Sequence, residues 1–132
     1  MLKTEPQTYS FDNLLNEGEC VWDGVTNNLA LKNIRTMKAG DRCLIYHSGS
    51  EKAVVGEAVV ARDPYPDPKK HDGKLVVVNL KPVSKLRNPV SLAILKRRKE
   101  LRDFDLIRLP RLSVMSLSAE VWKLIFEMSK EE

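Results

Sequence analysis

DRCLIYHSGSEKAVVGEAVVA, residues 41–61, decides the fold. Two runs in it, DRCLIYH (41–47) and AVVGEAVVA (53–61), are short and rich in apolar and β-branched residues. GSEK between them has turn chemistry, so the pair reads as a β-hairpin. Upstream the period is helical. Ser10 caps a short helix over FDNLLNEG, in which Asp12 favours the positive N-terminal end, Phe11, Leu14 and Leu15 share a face, and Gly18 is the stop. Asn27 or Asn28 caps a second helix that carries Leu31, Ile34 and Met37 and ends at Gly40. Downstream, PYPDPKKHDG (64–73) has three prolines and one glycine and reads as an exposed loop. KLVVVNLKPV (74–83) reads as a strand buried on both faces. PVSLAILKRRKELRDF (89–104) reads as a helix capped by Ser91, and RLSVMSL (111–117) as a closing strand. A last helix begins near Ser118 and places Val121, Leu124, Ile125 and Met128 at i, i+3, i+4 and i+7. Helices and strands mix without a strict βαβ alternation, and the strands cluster mid-chain. The fold class is therefore α+β, a small curled antiparallel or mixed sheet or barrel with helices packed around it.

The 132 residues, 42% of them hydrophobic, suit one globular domain with a single core over residues 1–132. No apolar run reaches the eighteen or so residues of a membrane helix, and MLKTEPQTYS has no apolar segment of a secretory signal, so neither membrane nor export is expected. Cys20 and Cys43 read as reduced thiols of a cytosolic protein. The net charge of +4 and pI near 9.1 are compatible with a phosphate-bearing partner. The basic excess is local, in KRRKELR (96–102), Arg108 and Arg111. On a helix, Leu92, Leu95 and Leu101 would face inward and Lys96, Arg97, Lys99 and Arg102 would be solvated. This segment stands either as an ordinary charged face or as a phosphate patch, with Arg97, Arg98 and Arg111 contacting a backbone in a salt-dependent manner.

Counting excludes most catalytic and metal constellations. His47 and His71 are the only histidines, and with two separated cysteines they form no spaced zinc set, so neither metal nor cofactor is expected. No phosphate-binding glycine loop occurs. His47 and Ser48 are strand neighbours that point to opposite faces, which removes a nucleophile–base pair. His47 reads as a strand-end histidine bonded to a loop carbonyl. Trp22, Tyr46 and Tyr65 fall near strand ends or in loops, where aromatic faces can stack a planar ring for roughly 1–3 kcal/mol per base. Asp23, Asn27, Asn28 and Ser48 offer polar groups that match a base edge. From pattern alone Trp22 is open between core packing and the wall of a cage. Trp122, with Phe126 four residues on, reads as packing.

The ordered motifs KTEP (3–6), WDGV (22–25), MKAGDRCLIYHS (37–48), VVGEAVVARDPYPDP (54–68), PVSLAILK (89–96) and RLSVMSLS (111–118) resemble the EVE domain family along essentially the whole chain. That resemblance implies a PUA-like fold, a strongly bent mixed β-barrel with surrounding helices. Related YTH domains cage 6-methyladenine between aromatic residues, and their VWxS segment is similar to VWDG here, which makes Trp22 a cage wall. Carried over, the family pattern implies a base pocket of Lys3, Thr4, Glu5, Trp22, Asp23, Asn27, Tyr46, His47 and Ser48, with Tyr65 shielding the other side and Arg111 and Ser113 on a closing strand. The implied function is a non-catalytic reader of a flipped, modified base, with modified cytosine in DNA placed ahead of RNA. A PUA- or YTH-like module for 6-methyladenine or structured RNA is the alternative, and a hydrolase using His47 has the least support. The implied partners are nucleic acid and a nuclease or restriction system, in the cytoplasm or nucleoid, or in the nucleus of a eukaryote. Three departures stand out, one being that the family's long insertion after YPDP is trimmed here to KKHDG (69–73). The sequence starts at Met1-Leu2 where the family has a Tyr-Trp pair before K-[ST]-E-P, which either a chain start placed too far downstream or a real loss explains. Its R-N-Y-x-A-R reads T-N-N-L-A-L, so Thr26, Asn28 and Leu31 replace two arginines and a tyrosine.

Overall fold

The hairpin at 41–61 is the centre of the sheet. In the computed structural model, which describes residues 1–70 and 73–130, β3 (Arg42–His47) turns into β4 (Ala53–Pro66) with Ile45 opposite Gly56 and His47 opposite Ala53. β5 (Val76–Ser91) pairs antiparallel with β4. β1 (Leu2–Thr4) lies parallel to β3, and β2 (Cys20–Trp22) antiparallel to β5, giving the order β1-β3-β4-β5-β2. Four register shifts between β4 and β5, from Val54 to Tyr65, break the ladder; such bulges raise local twist and bend two long strands together.

The mixed α+β expectation holds, but the sheet is not closed into a barrel. β1 and β2 are its two edges. The reason lies at β1, whose outer edge is occupied by residues 113–115: Lys3 N donates to Ser113 O at 2.8 Å and Met115 N to Met1 O at 3.0 Å. RLSVMSL therefore docks beside β1 through a single bridge, Leu2 to Val114, and is not a strand.

Other boundaries also move. β4 runs through Pro64, Tyr65 and Pro66, with Tyr65 opposite Val77, so the proline-rich loop starts later than its composition indicates. Residues 71–72 of that loop, His71 included, lie outside the described residues. Burial on both faces holds for β5 at Val77 and Val78. The strand then continues eight residues past Val83, to Ser91. Pro82 is accommodated next to a register shift, where a missing N–H costs little.

Ser10 caps α1 (Phe11–Glu17), accepting from Asn13 N while the Asn13 side chain accepts from Ser10 N, and Gly18 ends the helix at φ +78°. Asn27 caps α2 (Asn28–Arg35), which ends at Thr36 and not at Gly40. Gly40, at φ +95°, serves the turn into β3. The single helix expected over 89–104 is two short pieces, α3 (Leu92–Lys96) capped by Ser91 and a 3-10 turn (Lys99–Leu101), with residues 89–91 ending β5; α4 (Asp105–Arg108) follows beyond that span. Leu101 lies six positions after Leu95, so a straight helix would aim the two about 120° apart. The break at Arg97-Arg98 turns both into the core, at 0% and 1% exposure. α5 (Ala119–Lys130) buries Ile125 and Met128, and Trp122 packs on Phe126 at 5.2 Å.

One apolar cluster unites these elements, among them Leu14 of α1, Ile34 of α2, Leu44 of β3, Val54 of β4, Leu80 of β5 and Ile125 of α5. Helix α1 rests on the sheet at one close contact. A Cβ on Gly56 would meet the Phe11 ring at 2.5 Å. Cys20 and Cys43 are both free, and burial pushes the Cys43 thiol up to about 12. Among the described residues no helix is long and apolar enough to cross a membrane.

Candidate functional site

Where β1 and β2 fail to meet, a cleft of about 800 Å³ opens. Lys3 and Thr4 of β1 form one wall and Cys20 to Trp22 of β2 the other, with Arg111 and Ser113 on the segment docked beside β1. Asp23 and Asn27, in the loop from β2 to α2, border it, as do Tyr9, Glu17 and Glu19 around α1.

Trp22 is both core and wall. It is 8% exposed within the apolar cluster, and it lines the cleft. Tyr9 meets it edge to face, with centroids 6.2 Å apart and planes at 86°. The Tyr9 hydroxyl donates to Glu17 Oε2 at 2.9 Å, and burial, with Cys20 and Glu17 beside it, raises its pKa far above the usual phenol range. Thr4 Oγ1 donates to Tyr9 O at 2.7 Å, tying β1 to the aromatic pair. Asn27 spends its Oδ1 on the α2 cap, accepting from Ala30 N at 3.0 Å. Its two amide donors remain for a ligand. Lys3 Nζ donates to Pro110 O at 2.7 Å and lies 5.6 Å from the Tyr46 ring centre, and burial lowers its pKa. Arg111 is exposed, and no ion pair holds its guanidinium among the described residues.

Lys3, Thr4, Trp22, Asp23, Asn27, Arg111 and Ser113 are thus brought together at the cleft, while Glu5, Tyr46, His47, Ser48, Tyr65, Arg97 and Arg98 do not line it. Glu5 folds back on its own turn toward Gln7 N at 3.3 Å. Tyr46 is buried at 3% exposure. Ser48 N donates to Thr4 O at 2.8 Å, extending the β1–β3 pairing. Tyr65 lies on β4, stacked under Arg62 at 4.0 Å, with its hydroxyl donating to Asn79 at 2.6 Å. Arg97 closes α3, and Arg98 pairs with Glu100 at 3.1 Å.

His47 bonds to no loop carbonyl. Its Nε2 accepts from Phe11 N at 3.0 Å, and its Nδ1 faces Glu51 Oε1 at 2.8 Å. Acceptance at Nε2 assigns the ring hydrogen to Nδ1. The histidine thus satisfies an orphan donor at the first turn of α1. We expect His47→Ala to lower unfolding free energy by about 1–3 kcal/mol by leaving that buried N–H unpaired. His47→Gln, which keeps an acceptor, should lose less. Denaturant midpoints read both; an unchanged midpoint in His47→Ala would remove this role.

Sequence reading missed Tyr9, Glu17, Glu19 and Cys20. Tyr9 sits directly before the Ser10 cap, where an apolar residue commonly pins a helix entry, so its position carried a signal. The two glutamates had none, since exposed carboxylates flanking a helix end are ordinary.

A profile of the EVE domain matches residues 1–128, and the chain belongs to that family. Among its relatives are the uncharacterized protein C21.03c of Schizosaccharomyces pombe, 34% identical over 83% of this chain and 54% of that protein. Thymocyte nuclear protein 1 of Danio rerio is 30% identical over 90% of this chain and 61% of its own length. The chain therefore spans about half to three-fifths of these curated relatives. Among solved structures, Rpa0253 of Rhodopseudomonas palustris superposes with TM-score 0.93 at 38% identity, covering 100% of this chain and 94% of that one. Human THYN1, solved in complex with 5-methylcytosine-containing DNA, shares the fold at TM-score 0.90 and 22% identity, over 99% of this chain and 96% of its own.

Proposed function

We propose that this protein is a non-catalytic reader of a modified base in DNA, receiving a flipped modified cytosine in the cleft between β1 and β2. The observation that carries the reading is the convergence on one cleft of an aromatic wall, Trp22, with Asp23, the Asn27 amide and Arg111. The DNA complex of a protein with the same fold supports it. A carboxylate such as Asp23 accepts from the cytosine 4-amino group, and amide N–H donors suit its carbonyl and ring nitrogen. Unstacking costs a few kcal/mol, which stacking and edge bonds offset. Arg111, at the rim and without an ion-pair partner among the described residues, would hold a flanking phosphate. Lys3 anchors the segment that carries it. Tyr46, His47 and Ser48 would support the pocket from behind, with both His47 nitrogens engaged and so not free to act as a general base.

Anisotropy titrations of matched duplexes with and without one 5-methylcytosine test this. A methyl group filling an apolar corner is worth about 1–3 kcal/mol, so the methylated duplex should bind roughly 5- to 150-fold tighter. Both affinities should fall as salt rises from about 50 to about 200 mM. Equal affinity for the two duplexes would reject the reading. Tighter binding of a 6-methyladenine RNA would replace it with RNA recognition.

A further inference from the structure

We propose that the cleft sorts bases by charge, admitting neutral or amino-bearing modifications and rejecting anionic ones, with Glu19 as the residue that sets this. The inference rests on the reader function above and goes beyond it in naming the class of modification.

Five charged side chains line the cleft, Lys3 and Arg111 against Glu17, Glu19 and Asp23. Their neutralisation is unequal. The Lys3 ammonium keeps its charge but is fixed at the wall, donating to Pro110 O beside an aromatic ring. Glu17 is held by a neutral phenol, the Tyr9 hydroxyl. Glu19 has Lys81 only at 3.8 Å, a contact between two side chains that are 43% and 56% exposed. Its better-formed bond is neutral, from Asn79 Nδ2 to Oε2 at 3.0 Å. Asn79 is fixed in turn by the Tyr65 hydroxyl at 2.6 Å. A chain of uncharged partners from β4 across β5 thus fixes the Glu19 carboxylate at the cleft, and the solvent-exposed Lys81 offsets its charge only in part. This also gives Tyr65 a place: it positions Glu19 and does not touch the ligand.

A modified base placed against Trp22 shares the cleft with these three carboxylates. A neutral methyl or hydroxymethyl group feels little of them, and an amino-bearing group is drawn in. A carboxyl substituent adds a like charge where low-dielectric walls weaken screening. Building an unfavourable charge contact against the wrong ligand is a standard route to selectivity. The same field keeps phosphates out of the cleft and at Arg111, consistent with a base entering alone.

The test compares duplexes of one sequence bearing 5-methylcytosine or 5-carboxylcytosine, with wild type, Glu19→Gln, Glu17→Gln and Tyr65→Phe. In wild type the carboxyl duplex should bind about tenfold or more weakly than the methyl duplex, a ratio that shrinks with added salt. Glu19→Gln, which keeps an acceptor for Asn79, should narrow that ratio most, and Tyr65→Phe should narrow it in part. Glu17→Gln reports on the neighbouring carboxylate should Glu19→Gln fold poorly. Equal wild-type affinity for the two modified duplexes overturns the charge inference while leaving the reader function standing, as does an unchanged ratio in both Gln variants. Failure of wild type to prefer the methylated over the plain duplex overturns both.

Discussion

Trp22→Ala should weaken binding of a 5-methylcytosine duplex by roughly 10- to 100-fold, the equivalent of losing one base–aromatic stack of about 1–3 kcal/mol. Trp22 is also part of the core, at 8% exposure with Tyr9 packed on its face. Truncation will therefore destabilise the protein as well, by about 3–5 kcal/mol for a large buried aromatic residue. Two readouts separate the effects. Affinity is measured well below the variant's melting transition, and Trp22→Phe, which keeps an aromatic face, should recover most of the binding. The dependence of log affinity on log salt should be unchanged in Trp22→Ala, because no phosphate contact is lost. Arg111→Ala should instead flatten that slope by about 1. A folded Trp22→Ala protein that binds as well as wild type would take Trp22 out of the site.

The largest effect on stability is expected at Gly56. A methyl group there would meet Cε1 and Cζ of Phe11 at 2.5 Å, and Phe11 is buried at 2% exposure. Gly56→Ala should cost about 2–3 kcal/mol by overpacking, even though alanine suits a strand better than glycine. The clash predicts a specific coupling. Gly56→Ala combined with Phe11→Leu should destabilise by less than the sum of the single changes, because the ring that collides is gone. Additivity in chemical denaturation would show that the contact is relieved at no cost. The consequence reaches the cleft, since α1 leads through Gly18 directly into β2. Where Phe11 rests on Gly56 helps set where Trp22 stands.

How much of this was legible follows from what each signal encodes. The hairpin at 41–61 and the caps Ser10, Asn27 and Ser91 were readable because they are local. Turn chemistry and an N-terminal acceptor need only neighbouring residues. The helix over 89–104 was misread for an opposite reason. Leu92 to Arg102 are mostly good helix formers, and only the burial of Leu95, Leu101 and Phe104 shows that tertiary packing overrides propensity. β5 was cut short because Pro82 and the charged residues after it resemble a loop, whereas the bulged register against β4 absorbs them. At the cleft, Trp22, Asp23 and Asn27 were legible as one contiguous stretch. Tyr9 and Glu19 were not, because their roles depend on Trp22 and on Asn79, the latter 60 positions away.

Lys3 reaches Pro110 across 107 positions, and the Met1 ammonium reaches Met115 across 114. That wall of the cleft therefore depends on hydrogen bonds that close 107 and 114 positions of chain, whereas the central hairpin closes over near neighbours in sequence.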